Sequence, residues 1–85
     1  MAPRWVTKKS GSLEKFSKAK IIRGIRKSKS SMKHAEWVAR RIAAKSYDKI
    51  STRKIGQMVV ANLRKVDRKA ATSFGKVFDR NWRGL

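Results

Sequence analysis

The chain has 85 residues, of which 24 are Lys or Arg and 5 are Asp or Glu, so its formal net charge is +19. This length suits one small domain, and a hydrophobic share of 40% is too high for a disordered basic tail. Because cysteine is absent, disulfides, thiol chemistry and cysteine-ligated zinc are excluded.

The N-terminal segment predicts a β-hairpin. Residues 5–8 are mostly aromatic or β-branched, and within residues 12–16 the apolar Leu13 alternates with polar neighbours. Lys9, Ser10 and Gly11 lie between them and suit a short turn, in which glycine can adopt a positive φ. Since an isolated hairpin is only marginally stable in water, we expect it to pack on the rest of the chain.

Four helices are predicted after the hairpin. Ser17, a serine at 30 or 31, Ser51 and Asp67 are the predicted N-caps. The predicted helices span residues 18–27, 32–45, 52–66 and 68–79, with a loop or short strand at 46–50 and a frayed tail at 80–85. These elements predict a mainly α, α+β domain, a small bundle of about four helices behind the hairpin.

Apolar residues at helical and strand spacing predict the core. The expected core residues are Leu13, Phe16, Ile22, Ile25, Val38, Ile42, Ile55, Val59, Leu63, Phe74 and Phe78. Val66 and Val77 extend the apolar stripes of the third and fourth helices.

Catalysis finds little support among the residues. The chain has one histidine, His34, and its carboxylates are too scattered to suggest an acid–base pair or a metal site. Neither a GxGxxG loop nor a Walker-type phosphate loop is present. We therefore expect no enzyme and no metal.

Lysines near the start of the first helix suggest an anion site. Lys8 and Lys9 lie near the hairpin tip, and Lys20 lies in the first turns of the helix, whose free N–H groups and dipole favour anions. Glu14, in the strand between them, can accept hydrogen bonds from a base or a ribose. Such a group suits a nucleoside polyphosphate. A solvated basic face is the simpler interpretation, and charge alone favours it.

Residues 6–25 resemble the opening of the ATP-cone domain, the regulatory nucleotide-binding module of ribonucleotide reductases and of the bacterial ribonucleotide reductase repressor. The family pattern V-x-K-R-[DN]-G-x-x-E-x-F-[DN]-x-x-K-I-x-x-[AG]-I is met without a gap by Val6, Lys8, Gly11, Glu14, Phe16, Lys20, Ile21, Gly24 and Ile25. Residues 47–55 are similar to a later family segment, and the last two helices also resemble the family. The resemblance covers about residues 5–79.

The resemblance implies a helical bundle capped by a hairpin or short three-stranded sheet, with ATP or dATP bound between cap and helices. In the family's pattern, Val6 would pack on the base, Glu14 would help hold the adenosine, and Thr52 would supply a hydroxyl near the phosphates. The full nucleotide-binding set that the resemblance implies is Val6, Lys8, Lys9, Glu14, Lys20, Ile21 and Thr52. This chain departs from the family pattern at Lys9, Ser10 and Ser17. The family has arginine at position 9, and lysine cannot form the two parallel hydrogen bonds that an arginine makes to one phosphate.

The net charge exceeds what one triphosphate requires, which indicates contacts with a nucleic-acid backbone, DNA or RNA. The candidate residues for these contacts are Arg23, Arg26, Lys27, Lys29, Lys33, Arg40, Arg41, Arg53 and Lys54. Trp5, Trp37 and Trp82 can stack on bases. Core or cation–π roles are the favoured alternative, with Trp37 over Arg41 as one example.

Three functions are compatible with these features, of which the third and least supported is a stand-alone regulator that docks on an acidic enzyme surface. The first is a stand-alone ATP-cone-like regulator that binds nucleotide and nucleic acid, with self-association as a further expectation. The second is a basic structural protein, chromatin-like or ribosome-associated, that keeps the fold without the ligand. No apolar run reaches the ~18 residues of a membrane span, and the N-terminus lacks the apolar core of a secretion signal. We therefore expect a single cytoplasmic domain over residues 1–85, with no membrane partner and with nucleoid or ribosome association left open.

Overall fold

The computed structural model describes residues 5–8 and 10–81, with side chains described up to residue 78. Its elements in chain order are β1 (Trp5–Thr7), β2 (Leu13–Lys15), α1 (Lys18–Lys27), α2 (Met32–Lys45), β3 (Ile50–Ser51), α3 (Thr52–Leu63) and α4 (Arg68–Asn81). The predicted α+β class with four helices is confirmed. Lys9, Trp82 and residues 83–85 lie outside the described residues.

The three strands form one sheet in the order β2-β1-β3. Val6 of β1 lies opposite Glu14 in the antiparallel pair and opposite Ile50 in the parallel pair. At the hairpin turn, the backbone N–H of Lys8 donates to the carbonyl of Ser12 at 2.8 Å, and Gly11 has a φ of 92°. The predicted hairpin is therefore confirmed, with β3 as a third strand.

Each helix begins at its predicted cap. The serine hydroxyls of Ser17, Ser31 and Ser51 accept hydrogen bonds from the backbone N–H three residues on, at 3.3, 3.2 and 3.0 Å. Asp67 Oδ1 accepts from the Ala70 N–H at 3.1 Å. Caps of this kind each stabilise a helix by about 1 kcal/mol.

The core lies between the helices and the inner face of the sheet. Its buried residues are Val6, Ile21, Ile25, Ala35, Val38, Ala39, Ile42, Ile50, Ile55, Val59, Leu63, Ala70, Ala71, Phe74 and Phe78. Phe16 and Ile22 are partly buried against this cluster. None of the helices described is long and apolar enough to cross a membrane.

Three apolar residues do not lie where the sequence placed them. Leu13 is 48% exposed. It pairs with Thr7, the neighbour of the inward-pointing Val6, and successive residues of a strand point to opposite faces, so Thr7 and Leu13 both lie on the outer face of the sheet. Val77 is 54% exposed, on the flank of the α4 stripe whose centre is buried. Val66 is 37% exposed because α3 ends at Leu63, three residues before its predicted end, and residues 64–66 form a turn.

Candidate functional site

A small cleft with a volume of about 20 Å³ lies between the sheet and the helices α1 and α3. This volume holds about one water molecule, so a larger ligand would lie partly outside the cleft. Predicted site residues that line it are Val6, Glu14, Lys20 and Ile21, and they are joined by Lys15, Phe16, Ser17 and Ile55. The structure thus brings together side chains from β1, β2, α1 and α3.

One wall of the cleft is apolar. Val6 is buried to 6% exposure, and Ile21 and Ile55 are each 2% exposed. Val6 points inward because it pairs with the buried Ile50 of β3, whereas Ile21 lies on the buried stripe of α1. A rigid apolar wall of this kind suits a flat ring such as a nucleobase.

The polar side of the cleft is organised around Glu14. Its Oε2 lies 3.3 Å from Lys8 Nζ, and its Oε1 contacts Lys20 Nζ. The two lysine side chains are 48% and 44% exposed, so these ion pairs are accessible and weak. Two of the three predicted lysines therefore converge at the start of α1, whereas the third, Lys9, lies outside the described residues.

Thr52 is the first residue of α3 and is 5% exposed. Its Oγ1 is buried and has no hydrogen-bond partner, a state that costs about 1–3 kcal/mol for a hydroxyl. Thr52 does not line the cleft itself, but it lies one turn before Ile55, which does. A polar ligand atom reaching this turn would satisfy the hydroxyl.

The chemistry of these side chains matches the groups of a nucleoside polyphosphate. Two half-exposed ammonium groups can neutralise phosphate charge, the apolar wall can cover a base, and the Glu14 carboxylate can accept hydrogen bonds from hydroxyls. Within the described ranges, no group of three or more His, Asp or Glu side chains could hold a metal ion.

Eight of the nine residues predicted to contact nucleic acid are exposed. None of them forms an ion pair with an acidic side chain that the structure describes, so their charges face solvent. The ninth, Arg41, is half-buried: its Nε donates to Asn62 Oδ1 at 3.0 Å, and its Cζ lies 5.0 Å from the centroid of the Trp37 ring. The cation–π alternative for Trp37 is therefore confirmed.

Sequence reasoning missed a polar junction between the loops at the far end of the bundle. Ser30, 4% exposed, donates from its Oγ to Asp67 Oδ2 at 3.2 Å. His34 Nδ1 lies 3.9 Å from the same oxygen. Asp67 was recognised only as a cap, because no local pattern relates it to residues more than 30 positions earlier.

The chain is similar to one protein family and to one curated protein. The family model described as the ATP cone domain matches residues 4–77. The chain is also similar to the transcriptional repressor NrdR of Clostridium botulinum (strain Loch Maree / Type A3), with 32% identity over 84 residues, 89% of this chain and 56% of the relative. The chain thus spans little more than half the length of that relative.

Proposed function

Since the chain belongs to the ATP-cone family, we propose that it is a regulatory module, not an enzyme, that binds ATP or dATP in the cleft between sheet and helices. The observation that carries this proposal is the pairing of Glu14 with both Lys8 and Lys20 beside the apolar wall of the cleft. Three charged groups meet there at a helix N-terminus, where free N–H groups favour anions.

Each side of the cleft has a distinct role in this proposal. The base packs against Val6 and Ile21, while the phosphates replace the Glu14 carboxylate as the partner of Lys8 and Lys20. A polyphosphate carries more charge than one carboxylate, so this exchange strengthens the interaction of both ammonium groups. Glu14 is then free to accept hydrogen bonds from the ribose. Lys9 and the Thr52 hydroxyl complete the proposed phosphate side.

Calorimetric titration with ATP and with dATP, in salt that suppresses nonspecific phosphate binding, tests the proposal. Lys20→Ala should weaken binding about ten-fold or more, because one charge-assisted contact contributes roughly 1.5–3 kcal/mol. Lys18→Ala is the matched control, since Lys18 is exposed in the same helical turn and does not line the cleft. Equal losses in the two variants, or no saturable binding to the wild type, would contradict the proposal.

A second proposed function is nucleic-acid binding through the exposed cations. It is supported by the eight exposed candidate residues that lack ion pairs with described acids, and by a relative named as a transcriptional repressor. Contacts of this kind are to phosphates and are largely independent of sequence. Self-association and a cytoplasmic location, on the nucleoid or the ribosome, belong to this proposal.

Mobility shifts on unrelated duplexes at several salt concentrations test this second function. A protein that touches about six phosphates loses on the order of a thousand-fold in affinity between about 50 and 200 mM salt. Arg26→Ala should reduce the slope of the logarithmic salt dependence by about one unit. Affinity that does not change with salt would contradict polyanion binding. Strong salt-dependent binding without nucleotide saturation would instead favour the structural protein that lacks the ligand.

A further inference from the structure

Two neighbouring side chains hold the guanidinium group of Arg41 in place. Its Nε donates to Asn62 Oδ1 at 3.0 Å, and its Cζ lies 5.0 Å from the centroid of the Trp37 ring. Trp37 lies one turn earlier on α2 and is partly buried against the core, whereas Asn62 belongs to α3. The eight exposed candidates for nucleic-acid contacts form no side-chain hydrogen bond, ion pair or cation–π contact with the residues that the structure describes. Arg41 thus differs from them in having a charged group whose position is fixed.

Asn62 can support Arg41 because its own amide group is held. Asn62 is 7% exposed, and its Nδ2 donates to the backbone carbonyl of Met58, one turn earlier on α3, at 2.8 Å. Since Nδ2 is directed at a carbonyl, Oδ1 is the atom that accepts from the guanidinium group. The position of Arg41 is set by a buried side chain that is itself fixed, so the guanidinium group is ordered before any ligand binds.

These contacts leave the outer edge of the guanidinium group free. Neither Nη atom of Arg41 has a hydrogen-bond or ion-pair partner among the described residues, and neither is a buried atom without a partner, so both are open to solvent. The two Nη groups present parallel N–H bonds in one plane, a geometry that matches two oxygens of one phosphate. Since the side chain is already ordered, binding there costs less conformational entropy than binding to a mobile surface arginine.

We propose that Arg41 hydrogen-bonds one backbone phosphate of a nucleic acid through both Nη groups, and that Asn62 is the positioning residue for this contact. The contact rests on the second proposed function and adds to it an interaction whose strength depends on geometry as well as on charge. A phosphodiester has two unesterified oxygens, which the two Nη groups contact together. The net charge of +19 favours a densely charged polyanion over an isolated carboxylate, the other anion that fits this geometry.

Arg41→Lys keeps the charge and removes the planar pair of donors. Arg68→Lys is the matched control, since it makes the same change at an exposed position of α4 that is not a candidate for nucleic-acid contacts. Mobility shifts on one duplex at several salt concentrations compare both variants with the intact wild-type chain. Arg41→Lys should lose about ten-fold in affinity, because lysine makes a single point contact where arginine makes two hydrogen bonds, and Arg68→Lys less than about three-fold. The slope of the logarithmic salt dependence should change by less than about half a unit in either variant, since no charge is lost.

Asn62→Ala tests the support of Arg41 without changing a cation. It removes the acceptor of Arg41 Nε, so it should weaken duplex binding about three- to ten-fold with the salt dependence unchanged. Gln57→Ala, at an exposed position of the same helix, is the control and should change affinity by less than about two-fold. In an Arg41→Ala background, Asn62→Ala should have no further effect, because Asn62 acts through Arg41. An equal effect of Asn62→Ala in both backgrounds would overturn its positioning role.

Thermal unfolding of each variant shows whether the fold is kept, and the comparison of Asn62→Ala with Gln57→Ala decides if Arg41→Lys does not fold. Equal duplex affinities of folded Arg41→Lys and Arg68→Lys would overturn the Arg41 contact and leave the second proposed function standing. Absence of salt-dependent binding by the wild type would overturn both. Polyglutamate is the probe for a carboxylate ligand. If Arg41→Lys weakened polyglutamate binding more than duplex binding, the two Nη groups would belong to a carboxylate site and the proposal would be wrong.

Discussion

Gly56→Ala is a direct test of how α3 packs against α4. Gly56 is buried, and an added Cβ would lie 2.6 Å from Phe78 Cε2 and closer still to two other ring atoms. Phe78 is itself only 6% exposed, so its ring cannot move aside without losing core contacts. The substitution therefore forces either a shift of α4 or the expulsion of an aromatic side chain.

The magnitude follows from two opposing effects. Overpacking a core site costs typically 1–3 kcal/mol, and the collision with a ring lies toward the upper part of that range. Alanine recovers about 0.5–1 kcal/mol relative to glycine inside a helix. The expected net loss is about 1–2 kcal/mol in the free energy of unfolding. For a domain of this size that corresponds to a fall in Tm of roughly 4–16 °C.

Thermal unfolding followed by circular dichroism measures this loss, and Gly75→Ala is the matched control. Both glycines lie within helices of the α3–α4 pair, but a Cβ on Gly75 would meet its nearest neighbour, Val60 Cγ2, at 3.6 Å. Gly75→Ala should therefore raise stability by up to about 1 kcal/mol through helix propensity alone. If Gly56→Ala were as stable as Gly75→Ala, the close approach of Phe78 to α3 would be refuted.

Further substitutions test the loops and the core. Lys29 has a φ of 67°, so Lys29→Gly should raise the free energy of unfolding in urea by up to about 1 kcal/mol, and a loss would show that its side chain has a structural role. Asp67→Ala removes the N-cap of α4 and the hydrogen-bond acceptor of Ser30. It should lower the free energy of unfolding, measured in guanidinium, by about 1–3 kcal/mol. Ile42→Ala should lower the free energy of unfolding by about 2–5 kcal/mol because Ile42 is fully buried, whereas Leu13→Ala should change it by less than about 0.5 kcal/mol because Leu13 is exposed. Similar losses in the two variants would place Leu13 in the core.

Helix starts could be predicted because their determinants are local. A cap residue and the N–H that it satisfies are three positions apart, so Ser17 and Ser51 identify their helices from sequence alone. Ser31 was one of two candidates, and the structure selects it because its Oγ accepts from the His34 N–H. The end of α3 has no such local determinant, since the apolar stripe continues to Val66 after the helix has stopped.

The face of the hairpin could not be predicted from the hairpin itself. Alternation allows either Val6 or its neighbours to be buried, and the choice depends on which residue pairs with β3 more than 40 positions later. Val6 pairs with Ile50, which is fully buried, so Val6 and Glu14 point inward. Leu13 is consequently on the outer face, although its hydrophobicity alone suggests a core residue.

In the candidate site too, the sequence predicts the convergence of residues that are close in sequence but not of residues that only tertiary packing brings together. Lys8, Glu14 and Lys20 lie in one contiguous hairpin and helix, so their convergence follows from local structure. Ile55 comes from α3, and only tertiary packing places it in the same cleft. The role of Glu14 as the partner of both lysines was also missed, because the pattern of residues indicated only a hydrogen-bond acceptor for a ligand.

For the two proposed functions, the acidic residues would make the two anion sites of this positively charged chain respond differently to salt. Asp48 Oδ1 accepts a hydrogen bond from the backbone N–H of Trp5 at 3.0 Å, and Asp67 joins two loops, so both hold elements together. Among the acidic side chains that the structure describes, only Glu14 forms ion pairs with lysines at the cleft. A polyanion bound to the outer surface, as proposed, would therefore displace only counterions, and salt would weaken its binding. A polyphosphate in the proposed cleft site would instead have to displace a carboxylate, so its affinity would depend on the strength of that ion pair as well as on ionic strength.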